Sequence, residues 1–72
     1  MVVDTHAMRL GEVGRYNDVA GYGEIHEGDA RWFFHCTAIA DGTRTIATRT
    51  PVRFRLAPGH LGRYEGVDIR PA

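Results

Sequence analysis

Apolar residues along this chain come in short alternating runs. No stretch repeats them at helical spacing, and each run ends in turn residues, a pattern that predicts β-strands. The first run carries Leu10, Val13 and Tyr16, is interrupted by Gly11 and Gly14, and closes at an Asn17-Asp18 turn. Gly21 to Ile25 forms a second, ended by Glu27-Gly28-Asp29. Arg31 to Cys36 is the strongest candidate. Its two-residue period sends Phe33 and His35 to one face and Trp32 and Phe34 to the other, without deciding which face is inward. Pro51 to Leu56 places Val52, Phe54 and Leu56 on one face and Arg53 and Arg55 on the other. Tyr64 to Ile69 is the fifth run, with Val67 and Ile69 sharing a face before Pro71 stops it. Thr43 to Thr50 is rich in Thr and Arg, has Ile46 as its one apolar anchor, and reads as a long loop.

Five short strands in one domain predict an all-β, five-stranded antiparallel barrel, closed or nearly so, because closure removes exposed sheet edges. Composition agrees. At 72 residues, 43% hydrophobic and 25% charged, the chain suits a single folded domain with a small core. The lone Cys36 forms no internal disulfide and points to a reducing compartment. No apolar run approaches the roughly 20 residues that span a bilayer. Met1 to His6 lacks a basic-then-apolar leader. A cytoplasmic protein with no membrane partner is expected.

Charge changes the picture when it is split. Nine arginines balance nine acids, and lysine is absent. Residues 1–41 hold three arginines against seven acids, whereas Gly42 to Tyr64 holds five arginines and no acid. The zero total excludes a globally basic nucleic-acid binder but leaves room for a basic patch.

Catalytic chemistry finds no support. There is no phosphate loop, serine elbow or carboxylate pair, and His6, His26, His35, His60 and Cys36 fit no zinc spacing. His35 and Cys36, consecutive on a strand, face opposite ways and make a poor nucleophile–base pair. No enzyme activity, metal, cofactor or small-molecule substrate is expected.

Gly11-Glu12-Val13-Gly14-Arg15-Tyr16-Asn17 followed by Ala20-Gly21-Tyr22-Gly23-Glu24-Ile25 resembles the G-x-V-K-W-F-N and K-G-F-G-F-I segments of cold-shock domains. Trp32 to Ile39 is similar to that family's V-F-V-H-F-S-A-I, Arg44-Thr45-Ile46 to its R-T-L, Pro51 to Phe54 to its V-x-F strand, and Gly66 to Pro71 to its A-x-N-V-R-P ending. The resemblance covers residues 8–72 and puts Met8 where family members usually begin, leaving 1–7 as a flexible extension or a misplaced start. It implies an OB-type barrel that binds single-stranded RNA or DNA by stacking bases on aromatic side chains, with a role as RNA chaperone or expression regulator.

The expected binding face is Arg15, Tyr16, Tyr22, Phe33, His35, Arg44, Arg53, Arg55 and His60, the last four read from the acid-free arginine run and its flank and the ring positions from the resemblance. Tyr22, Phe33 and His35 keep a ring where the family stacks bases, which implies that Trp32 and Phe34, on the opposite face, fill the interior. Arg15, Glu24 and Cys36 stand where the family has aromatics, and Gly14 and Ala20 where it commonly has lysines. Arg15 either pairs with Glu24 across neighbouring strands or stacks on a base and meets a phosphate. Glu24 in turn has the option of accepting from an exocyclic amine of cytosine or guanine. Arg53 and Arg55 are an outward stripe expected to track phosphates. These losses predict a reduced affinity or altered preference. The competing expectation is a degenerate barrel acting as a protein-interaction module, docked on a larger RNA–protein complex.

Overall fold

Short-range alternation is realised as five strands. A computed structural model describing residues 3–72 contains β1 (Arg9–Asn17), β2 (Tyr22–Glu27), β3 (Ala30–His35), β4 (Pro51–Pro58) and β5 (Tyr64–Pro71), each within two residues of its predicted limits. Single 3-10 turns form at Cys36–Ala38 and His60–Gly62. Strand order is β1-β2-β3-β5-β4, and β4 returns to β1 to close the barrel.

The sheet is mixed, which corrects the expected antiparallel barrel. Four seams are antiparallel, but β3 and β5 run parallel, with Phe33 opposite Glu65. Parity requires this. Directions that alternate around a ring close only for an even number of strands, so a five-stranded ring of this order keeps one parallel seam.

Inward residues of every strand meet in one core. Val13, Ile25, Phe34, Val52, Phe54, Leu56 and Ile69 are fully buried and Ile39 nearly so. Trp32 departs from expectation. It is half-buried at the core's margin, its indole N–H donates to Glu27 Oε1 at 3.0 Å, and the Arg9 guanidinium lies 5.7 Å from its ring centre. Arg9 Nε also donates to Glu27 at 3.0 Å. An indole N–H needs a polar partner, so Trp32 seals one margin of the barrel instead of filling its centre.

Two irregularities decide which way side chains face. In β1, Val13 pairs with Ile25 but Arg15 with Glu24, so Gly14 is an extra residue with no partner. This β-bulge reverses the alternation and turns Arg15 outward and Tyr16 inward. In β5 the register against β4 shifts around Asp68, whose φ is +52°. Gly66 and Ile69 therefore face inward while Val67, opposite the outward Arg55, does not. Val67 and Ile69 do not share a face, contrary to the strict two-residue reading.

The 43–50 segment is a loop, as its composition suggests, and it is anchored at both ends. The Tyr16 hydroxyl donates to the Arg44 carbonyl. Arg49 N–H donates to Val13 O at 2.7 Å, and Val13 N–H to Thr50 O at 3.0 Å. Partial desolvation, followed by the negative charges of ionised Cys36 and Asp18, pushes the Tyr16 pKa up, which keeps its hydroxyl a donor. Tyr16→Phe is expected to lower stability by about 0.5–1.5 kcal/mol. Amides of residues 43–48 should exchange faster while those of β4 hold. Unchanged exchange in the loop would show that this hydrogen bond does not anchor it.

Part of the N-terminal segment lies against the barrel. Val3 packs against the core, and Asp4 accepts from His6 N–H at 2.8 Å in a short turn. Met1 and Val2, the rest of the expected extension, lie outside the described residues. Among the described residues no helix is long and apolar enough to cross a membrane.

Candidate nucleic-acid interface

The outward faces of β2 and β3 assemble three rings. Register pairs Tyr22 with His35 and Glu24 with Phe33, so Tyr22, Phe33 and His35 form one patch. Tyr22 and Phe33 are offset-stacked, with ring centres 5.6 Å apart and planes at 28°. Phe33 meets His35 edge-on at 4.7 Å. Tyr22 is 47% and Phe33 39% exposed, and the His35 side chain is 56% exposed. Large apolar side chains grouped in one exposed patch, unlike ones scattered singly, are the kind that mark an interaction surface.

Glycines around Tyr22 serve the protein's own packing. Gly21, at φ +80°, turns the chain into β2 and donates to Asn17 O at 2.8 Å. Asn17 Oδ1 accepts from the Val19 and Ala20 amides, completing the turn. A Cβ on Gly23 would lie 2.5 Å from the Arg15 carbonyl and 2.8 Å from the Phe34 ring. Tyr16 and Phe34 stack directly beneath, ring centres 5.7 Å apart and planes nearly parallel. Tyr16 is thus a brace under the platform and tethers Arg44 to it, with its own ring half-buried.

The expected Arg15–Glu24 ion pair does not form. The two residues are register partners, but Glu24 Oε1 lies 2.9 Å from His26 Nε2. His26 reaches it because Gly14 leaves room: a Cβ there would stand 2.0 Å from the His26 ring. Gly14 thus makes the bulge and also seats the imidazole that holds Glu24. Arg15 remains on the exposed surface.

Phe33 separates two grooves. One, lined by Arg15, Tyr22, Glu24 and Phe33, has a volume of about 350 Å³. The other, about 800 Å³, runs between β3 and the 59–63 loop and is lined by Arg31, Phe33, His35, His60, Leu61 and Arg63, among others. Leu61 is 85% exposed at φ +58°, an unusual conformation for a side chain of this kind. His60 and Arg63 are exposed beside it.

The predicted arginines part company here. Arg15 borders the first groove, and Arg44 approaches it through its carbonyl bond to Tyr16. Arg53 and Arg55 lie on β4, which touches β1 and β5 but neither β2 nor β3. They occupy the far side of the barrel from the rings. Arg55 Nε is also 3.5 Å from Asp68, which Arg70 shares at 2.9 Å. Arg53 lies opposite the exposed Leu10.

Arg63 belongs to the acid-free arginine run between Gly42 and Tyr64. Two groove residues escaped sequence reasoning. Arg31 shares the odd-numbered face with Phe33 and His35, a signal that was present in the alternation. Glu65 is the second. Its side chain is only 15% exposed, lies 3.6 Å from His35 Nε2, accepts from the His60 amide at 3.3 Å, and fills the space where a Cβ on Gly59 would stand. Only the parallel β3–β5 seam brings it there.

Among the described residues no group of His, Cys, Asp and Glu is placed to hold a metal ion. Compared with known protein families and with curated protein sequences, the chain matches none.

Proposed function

We propose that this chain is a cold-shock-like, OB-type barrel that binds single-stranded RNA or DNA by stacking bases on Tyr22, Phe33 and His35. The observation that carries the reading is the exposed ring patch on adjacent strands, with a groove on each side of Phe33 and Arg15, Arg31, His60 and Arg63 along them. Each ring offers a π-face worth about 1–3 kcal/mol per stacked base. Arginines beside such faces grip phosphates and release counterions. Arg53 and Arg55 do not belong to this path, being on β4 across the barrel.

A titration at several salt concentrations tests this, with Trp32 fluorescence as readout, since the indole borders the larger groove. Affinity for a uridine or thymidine heptamer should fall with salt at a log–log slope near −2, the value for roughly three phosphate contacts on a single strand. Arg31→Ala should weaken binding and flatten that slope by about 0.7. The double change Arg53→Ala, Arg55→Ala should alter affinity less than about twofold, because phosphate contacts act locally. Absence of binding at high micromolar protein and low salt would sink the reading. It would favour instead a barrel whose ring face contacts protein, a surface to which the acidic Glu24 and Glu65 are better suited than to phosphate. A far-side arginine dependence would move the phosphate path to β4.

A further inference from the structure

The carboxylate of Glu24 is built into the smaller groove. It opposes Phe33 across the β2–β3 seam and Arg15 across the β1–β2 bulge, and with Tyr22 these residues form the groove wall. Its Oε1 is held at 2.9 Å by His26 Nε2, and the imidazole rests in the space that Gly14 leaves by having no side chain. An exposed glutamate normally samples many rotamers. This one is steered by a ring that is itself seated.

A base lying on Phe33 at this place would present its hydrogen-bonding edge either to the carboxylate or to the guanidinium. The bases differ in what they offer. Uracil and thymine show one N–H flanked by two carbonyls, which a carboxylate repels. Adenine and cytosine offer an amine beside a bare ring nitrogen. Guanine alone offers two donors side by side, N1–H and N2–H, matching the two oxygens of a carboxylate, while its opposite edge carries the O6 and N7 acceptors that suit arginine.

Resting on the base-stacking reading above, we propose that Glu24 selects guanine: its carboxylate receives N1–H and N2–H of a base stacked at Phe33, with His26 as the positioning residue and Arg15 as partner of the acceptor edge or the adjoining phosphate. A carboxylate among the rings then serves as a base reader and not merely as a repulsive defect on the platform. A phosphate chain is repelled by it, but a guanine edge is drawn in, so affinity for other sequences falls while the preference sharpens.

The test is a set of uridine heptamers whose central residue is guanosine, inosine, adenosine, cytidine or uridine, titrated into the native protein. Guanosine should bind at least about tenfold tighter than uridine, the scale of one good bidentate contact. Inosine, which keeps N1–H and lacks the 2-amino group, should fall between them. Glu24→Gln should bring the guanosine-to-uridine ratio close to one while binding the all-uridine heptamer at least as well as before. His26→Ala should lower the same ratio and leave all-uridine affinity unchanged, which a purely structural role would not do. Equal affinity for all five heptamers overturns the guanine assignment and leaves base stacking standing. An unchanged ratio in Glu24→Gln assigns the preference elsewhere and overturns it too. No binding of any heptamer overturns both readings together.

Discussion

Replacing Phe33 with alanine is expected to weaken binding of a single-stranded heptamer about 5- to 150-fold, the equivalent of losing one stacked base at ~1–3 kcal/mol. Phe33 stands at the centre of the patch. It stacks on Tyr22, meets His35 edge-on and borders both grooves. Its removal takes away its own stacking face and the support that orients its two neighbours. Because it is 39% exposed and outside the core, the variant should remain folded, with a chemical-denaturation midpoint near that of the native chain. Fluorescence polarisation on a labelled heptamer supplies the affinity, and circular dichroism the fold. An affinity within twofold of native would mean that bases do not rest on this ring.

One residue along, the same substitution should act on a different property. Phe34→Ala is expected to remove about 3–5 kcal/mol of stability, the range for deleting a fully buried aromatic. Phe34 is completely buried, stacks on Tyr16 and approaches Gly23 so closely that no side chain fits between. A barrel of 72 residues has roughly 4–11 kcal/mol in total on the usual per-residue scale, so this change consumes a large share of it. Urea unfolding should show a midpoint lowered by about 1–5 M at the usual slope of ~1–3 kcal/mol/M, with no folded baseline left if the native stability lies at the low end of its own range. A loss under about 1 kcal/mol would mean that the core collapses around the gap or that Phe34 is not central to it. The two expected outcomes together would separate binding from folding within a single strand.

The two-residue period put Phe33 and His35 on one face and Phe34 on the other, but only the resemblance to cold-shock domains pointed Phe34 inward. The Val52, Phe54 and Leu56 series located β4 to within two residues. Positions read through a break in the period were less legible. Gly14 gives no hint of whether it bends, bulges or continues a strand. Its role depends on the His26 ring twelve residues later in the chain, and that contact exists only after β1 and β2 have paired. Asp68 reads as an ordinary polar strand residue, yet it takes a left-handed conformation that strands rarely contain. Its carboxylate lies 2.9 Å from Arg70 and 3.5 Å from Arg55 in that arrangement. Charge blocks are hard to place for a similar reason. Arg53 and Arg55 are near the other arginines along the chain, but barrel closure carries β4 to the side away from the rings. Linear density of charge says little about which face receives it.

The parallel seam between β3 and β5 is the narrowest join in the barrel. Regular pairing there comes to Phe33 opposite Glu65, with a single further bridge beyond the strand, Ile39 to Ile69. A barrel that breathes parts first where its ladder is thinnest. Parting here would swing the β4–β5 hairpin outward and carry His60 and Arg63 away from Phe33 and His35, splitting the larger groove down its length. A strand of nucleic acid lying across that groove would act as a clasp on the seam, so the free energy of binding and that of keeping the barrel shut would draw on one reserve.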